Sequence, residues 1–206
     1  MFSLLLRGFA LGFAIAASPG PIFFLCVRRT LVAGRIYGLL SGLGVATVDA
    51  FYAAVATFGI AALTTAFASG RRPLALIGGA ALIVLGARIL LERPRAADAT
   101  PPLNRRGLAS AYGSTLALTV TNPATIVSFA ALAATLGLGT SGSWLRPAAV
   151  VLGVLIGSAA WWCVLVVAVS LLRARMTPAV VRGISVFSGV AIAGLGMIAV
   201  LSAVST

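Results

Sequence analysis

Phe13-Ala14-Ile15-Ala16-Ala17-Ser18-Pro19-Gly20-Pro21-Ile22-Phe23-Phe24-Leu25 is apolar on both sides of two prolines that flank a glycine. Followed outward, the apolar run covers residues 4–27, close to the roughly 20 residues that a helix needs to cross a bilayer. A proline inside a helix removes one backbone hydrogen bond and clashes with the preceding turn, at about 3 kcal/mol. Residues 19–21 therefore predict a break within the first span. In hydrocarbon the freed backbone groups need partners, so such a break survives only against other helices or a wet cavity. One proline kink is an ordinary structural feature; a matching break elsewhere in the chain points to a central binding site.

Composition agrees with a bilayer as solvent. Of the 206 residues, 61% are hydrophobic and 9% charged, and the mean hydropathy is +1.13. Soluble domains carry about 25% charge. The sequence contains no His and no Lys, which excludes a Ser-His-Asp triad, a His-bound zinc, a Walker A lysine and a lysine Schiff base. No catalytic residues and no cofactor are expected. Cys26 and Cys163 lie far apart without metal or redox spacing and read as packing residues. The net charge of +12 could suggest nucleic acid, but the arginines fall between apolar runs, which fits membrane topology and argues against a nucleic-acid partner. The first run continues apolar past a typical signal-peptide core, so it is expected to be a retained helix.

Apolar runs between charges and turn residues place spans near 4–27, 36–66, 73–91, 108–137, 147–171 and 180–204. The polar, proline-rich stretch 92–106 divides the chain into a first three-helix repeat (1–91) and a second (107–206) within a single membrane domain. Spans three and six overlay at an offset of 110, with Gly79 on Gly189 and Gly86 on Gly196. Gly44-Val45 overlays Gly153-Val154, and the Ser18–Pro21 motif of the first span has a counterpart in Thr121-Asn122-Pro123 of the fourth. An odd number of spans per half inserts the two copies in opposite senses. The expected fold is an all-α membrane protein of six spans in two inverted three-helix repeats, with spans one and four broken at their proline motifs.

Arginine placement orients it. The connections between spans 1–2, 3–4 and 5–6 hold eleven arginines, including Arg28, Arg29 and Arg35, against four on the other side. Arginine-rich loops stay in the cytoplasm, which puts both termini outside it. If the first run only half-inserts, five helices cross and the N-terminus lies inside.

Asp49 is the only acidic residue inside a span, because Glu92 and Asp98 fall in the linker. A carboxylate at the bilayer centre costs about 2.5–3.5 kcal/mol even on lenient scales. Gly38 and Gly42 form a GxxxG stripe leading to it, which predicts that this face packs on another helix and that Asp49 points into the bundle. There it either bonds structurally to a hydroxyl or an arginine, or holds an ammonium group or exchanges a proton. Gly153 and Gly157 form the corresponding stripe in span five, with Ser158 at the position of Asp49. Such stripes serve as readily between two copies of the chain as within one, so a homo-oligomer is a candidate assembly. Asn122 either caps the half-helix beginning at Pro123 or binds substrate; Ser18, Thr119 and Thr121 offer hydroxyls that also bond back to their own helix. Arg88 is expected to snorkel to the interface. Trp144 reads as an interfacial anchor and Trp161 and Trp162 as packing.

Ser18-Pro19-Gly20-Pro21, the Arg29…Gly34…Gly38 stretch leading to Gly42, Gly44 and Asp49, the span-three glycines and Asn122-Pro123 together resemble the LysE/RhtB family of amino-acid exporters over essentially the whole chain. The resemblance implies an inner-membrane exporter of amino acids or similar small solutes, built as inverted repeats and driven by the proton gradient. Family members often carry Lys shortly after Asn-Pro, where this chain has Ala124 and Thr125, and exporters of basic amino acids often have a second membrane acid. Its absence favours a neutral substrate. The substrate site is expected at Ser18, Pro19, Gly20, Pro21, Thr121, Asn122, Pro123 and Asp49, with protons and the lipid bilayer as further partners. A helical scaffold that transports nothing, or an exporter of another solute or a cation, would share this composition. A metal site is disfavoured because one acid offers too few ligands.

Overall fold

The computed structural model describes residues 1–58, 71–91, 104–122, 125–126, 128–129, 144–173 and 175–204. Among them the chain is all helix: α1 (Phe2–Ala16), α2 (Pro21–Ala33), α3 (Arg35–Thr57), α4 (Arg71–Leu91), α5 (Arg105–Val120), α6 (Leu145–Arg173) and α7 (Pro178–Val204). Helices α3, α6 and α7 are each long and apolar enough to cross a membrane, and α1 with α2 forms a further candidate bent by 80° at the break. The distal part of the second expected span, most of the 92–106 linker and the later part of the fourth span lie outside the described residues.

The bend follows from the quoted motif. Ser18 precedes a proline and is biased away from helical backbone. Gly20 is extended (φ −155°, ψ −177°) and Pro21 occupies the first turn of α2, where its missing N–H costs nothing. At the other end of α2, Gly34 has φ 100°, a conformation that favours glycine and joins α2 to α3 with no intervening loop.

Four close helix pairs build the bundle: α1 with α6, α4 with α7, and α3 with both α5 and α6. Burial sorts by size more than by polarity. On α7 the inward face is Ser185, Ser188, Gly189, Ile192, Gly196, Ala199 and Ala203, while Phe187, Ile198 and Leu201 face outward. Lipid is as apolar as any core, so small residues that let backbones approach are what pull membrane helices together. A Cβ on Gly12 would stand 2.7 Å from the Cα of Val154, and one on Gly153 would stand 2.8 Å from the backbone nitrogen of Phe9. Gly79 and Gly196 each leave room for the other's carbonyl, and Gly86 does so for that of Gly189. The expected stripes at Gly38, Gly42, Gly153 and Gly157 are thus used within one chain: Gly38 lies against Thr30 and Val166, and Gly42 against Trp162. Their partner on the α1 side, Gly8 with Gly12, is a further small-residue stripe.

The contacts also give relative directions. Gly8 meets Val150 and Gly12 meets Val154, so α1 and α6 are parallel. Gly44 meets Tyr112 and Tyr52 bonds Val120, so α3 and α5 are parallel. Gly38 meets Val166 and Asp49 meets Ser158, so α3 and α6 are antiparallel, as are α4 and α7. Exchanging α1 with α5, α3 with α6 and α4 with α7 returns the same principal contacts.

Gly12→Leu is expected to lower stability by about 1–3 kcal/mol, the range for overpacking, because the added side chain meets backbone that cannot step aside. Gly113→Ala, with nothing within 4 Å of the new Cβ, should leave it unchanged or improved. Thermal unfolding of the detergent-solubilised protein measures both.

Candidate functional site

The two interruptions meet. A cavity of about 80 Å³ is lined by Ser18, Pro19, Gly20 and Pro21 from the first break, by Asn122 from the second, and by Asp49 from α3. That volume holds several water molecules or part of a small solute. Thr125, Ser128 and Trp162 complete its polar and aromatic wall.

Each break leaves backbone groups, and the surroundings satisfy some of them. At the first, the Ala17 N–H donates to the Phe13 carbonyl at 2.9 Å and the Ser18 N–H to Ile15 at 3.2 Å. No side chain caps α2. Ile22 and Phe23 of its first turn line the cavity, and the first turn of a helix carries the positive end of its dipole. At the second break, α5 ends at Val120, whose carbonyl accepts the Tyr52 hydroxyl at 2.7 Å. The Asn122 carbonyl accepts the Ile126 N–H at 3.2 Å, and residues 125–126 and 128–129 are helical again. That places Asn122 where a cap residue sits, and the same residue lines the cavity. Pro123 lies outside the described residues.

Asp49 is 1% exposed, on the face of α3 that packs against α6. Ser158 donates its hydroxyl to Asp49 Oδ2 at 2.7 Å. The two are 109 residues apart, and Ser158 is the residue that the sequence comparison of the two glycine stripes sets at the position of Asp49. The bonded hydroxyl was one of the two readings open from the sequence; the other, a carboxylate available to a ligand, is compatible with the same geometry, because Asp49 also lines the cavity.

The remaining expected site residue is elsewhere. Thr121 is not in the cavity wall; its hydroxyl bonds back to the carbonyls of Ala117 (3.1 Å) and Leu118 (3.3 Å), and it packs at Gly78 of α4. Thr119 likewise bonds back, to Thr115 at 2.7 Å. Arg88 is exposed in the last turn of α4, and Trp144 is exposed as an interfacial residue would be. Trp161 packs edge-on against Phe13 as expected, whereas Trp162 both packs on Gly42 and lines the cavity. Thr125 and Ser128 carried a usable signal: at three and six residues beyond Asn122 they continue its helical face.

Arginine 29 departs most from its expected place. Counted among loop arginines, it sits within α2, and its Nη1 donates to Ser41 Oγ and the Ala111 carbonyl, both at 2.9 Å, while Nη2 donates to Ser114 Oγ at 2.8 Å. Sequence spacing alone could not find this, because its partners lie on α3 and α5.

Comparison with known proteins gives these features a context. The pattern of the family described as LysE type translocator matches residues 13–203. The Escherichia coli K12 protein named "Uncharacterized membrane protein YahN" is 41% identical over 66 residues, 32% of this chain and 30% of that protein. "Chemotactic transduction protein ChpE" of Pseudomonas aeruginosa is 32% identical over 139 residues, 66% of each chain. The chain thus spans about a third and about two thirds of these relatives' lengths. No solved structure matches. With a pattern match that runs from the first broken helix through α7, this membrane protein belongs to the LysE type translocator family of transporters.

Proposed function

We propose that this chain is a secondary transporter that exports an amino acid, with preference for neutral ones, or a related small solute across the bacterial inner membrane in exchange for protons. The observation that carries this reading is the cavity in which an uncapped helix start, Asn122 and Asp49 face one small volume. An amino acid has one anionic and one cationic end. The N–H groups of the first turn of α2 suit the carboxylate, Asp49 suits the ammonium group or the coupling proton, and Asn122 contributes a polar contact. Pro123 is assigned to the second half-helix start by sequence alone.

Six spans in two inverted repeats are the architecture we assign. Support comes from the helix directions. Because α1 is parallel to α6 and α6 is antiparallel to α3, α1 and α3 run oppositely. A first segment that entered and returned by the same face would require α3 to run the same way as α1. A crossing first span, with both termini outside the cytoplasm, fits these directions and the distribution of arginines. The exchange symmetry of the contacts, and the meeting of Asp49 with Ser158, support an internal two-fold axis passing near the cavity. Division at the 92–106 linker rests on the sequence.

Two measurements test this reading. Vesicles loaded with labelled neutral amino acids should lose label faster when the protein is present and an inward proton gradient is imposed, and Asp49→Asn should cut that gradient-dependent flux at least about tenfold, or about 1.4 kcal/mol, while the protein still inserts. Unchanged flux and gradient dependence in the variant would remove Asp49 from the mechanism. Separately, Ser158→Ala should cost about 1–3 kcal/mol of stability by leaving a buried carboxyl oxygen without its donor, and much less in an Asp49→Ala background. Equal costs in the two backgrounds would show that the pair contributes no coupling.

A further inference from the structure

The Arg29 guanidinium is half-buried and bound on three sides by neutral groups: two hydroxyls and a carbonyl. These fix its plane without balancing its charge. A guanidinium has five N–H donors. Both on Nη1 and one on Nη2 are engaged, which leaves Nε–H and one Nη2–H without an acceptor among the described residues. No carboxylate pairs with it there either: Asp49 is the one described acidic side chain, and its hydroxyl partner is Ser158. Two N–H groups on one edge of a planar cation match two oxygens of a planar anion.

Position gives this edge a meaning. The Arg29 cluster and the cavity are built from the same three stretches of chain, each displaced by eight residues: Arg29 from Pro21, Ser41 from Asp49, and Ser114 from Asn122. Eight helical residues span about 12 Å. The displacement leads toward the start of α3 at Arg35 and of α5 at Arg105 and Arg106, the arginine-rich and therefore cytoplasmic mouth. Along these helices Arg29 therefore lies between that mouth and the cavity.

We propose that Arg29 is an entry-side docking point for the carboxylate of the exported solute, held ready by Ser41, Ala111 and Ser114 and engaged side-on through Nε and Nη2. The proposal rests on the exporter reading for the identity of its ligand. It differs from a purely structural tether between α2, α3 and α5 in predicting that the solute's carboxylate, and not its bulk, is what Arg29 recognises.

The test uses the purified full chain with L-valine, L-leucine and L-threonine, each beside its carboxamide, and inorganic phosphate as a further probe. Modification by an arginine-selective dicarbonyl, mapped by peptide mass spectrometry, should be slowed at Arg29 by the amino acids and not by their amides. In thermal-shift titrations the preference for acid over amide should fall at least about tenfold in Arg29→Lys, which keeps the charge and loses the fork, and severalfold in Ser114→Ala if the lysine variant fails to fold. Equal protection by acid and amide, no protection, or an unchanged preference in the variants would overturn the proposal. Protection by phosphate in place of the amino acids would also overturn it, reassigning the edge to a phosphate oxyanion. Protection by acids without export from vesicles would leave the docking point standing and defeat the exporter reading; export without protection would do the reverse.

Discussion

A helix interrupted in hydrocarbon leaves N–H and carbonyl groups that lipid cannot satisfy, and the rest of the structure is arranged around that constraint. Ser18–Pro21 of the first interruption and Asn122 of the second line one small cavity inside the bundle. Tyr52 reaches from α3 to the carbonyl freed at Val120. Asp49 belongs to the same arrangement: the one described carboxyl group buried in the bundle lines this cavity and is tied to a hydroxyl.

Enclosing such a cavity requires helices that approach closely, and here glycine supplies the approach. Gly8, Gly12, Gly153 and Gly157 bring α1 onto α6, while Gly79, Gly86, Gly189 and Gly196 bring α4 onto α7. Larger side chains at these positions would hold the helices apart and open the breaks to lipid. The outward faces carry Phe, Leu, Ile and Val, which the bilayer accepts at no cost. Motion is compatible with this design, because small residues in dispersion contact lose little when one helix pair slides against another, whereas the Arg29 cluster is directional and must break or carry its partners along.

Much of the fold was legible in the chain. Expected span edges at 36, 73, 147 and 180 fall within two residues of the starts of α3, α4, α6 and α7, because apolar length and charge set where a helix meets the headgroups. The break at the Ser-Pro-Gly-Pro motif was legible because proline acts through local sterics. Of the expected site residues, Ser18, Pro19, Gly20, Pro21, Asn122 and Asp49 share the cavity, while Thr121 turns toward α4. Residue type alone could not separate Thr121 from Thr125, since both carry the same hydroxyl and differ in which side of the break they occupy, Thr121 at the end of α5 against Gly78 and Thr125 in the helical stretch that lines the cavity.

The sequence by itself determined the solvent, the helical class, the interrupted first span and the singular status of Asp49, because each follows from composition or from chemistry within a few residues. Tertiary structure alone decided that Ser158 is the partner of Asp49, that Trp162 serves a cavity as well as a core, and that Arg29 is an interior cation held by α3 and α5 and not a loop charge. These are contacts between residues twelve to more than a hundred positions apart. Their geometry is set by how glycine faces bring separate helices together, and a linear pattern specifies that such faces exist without specifying which of them meet.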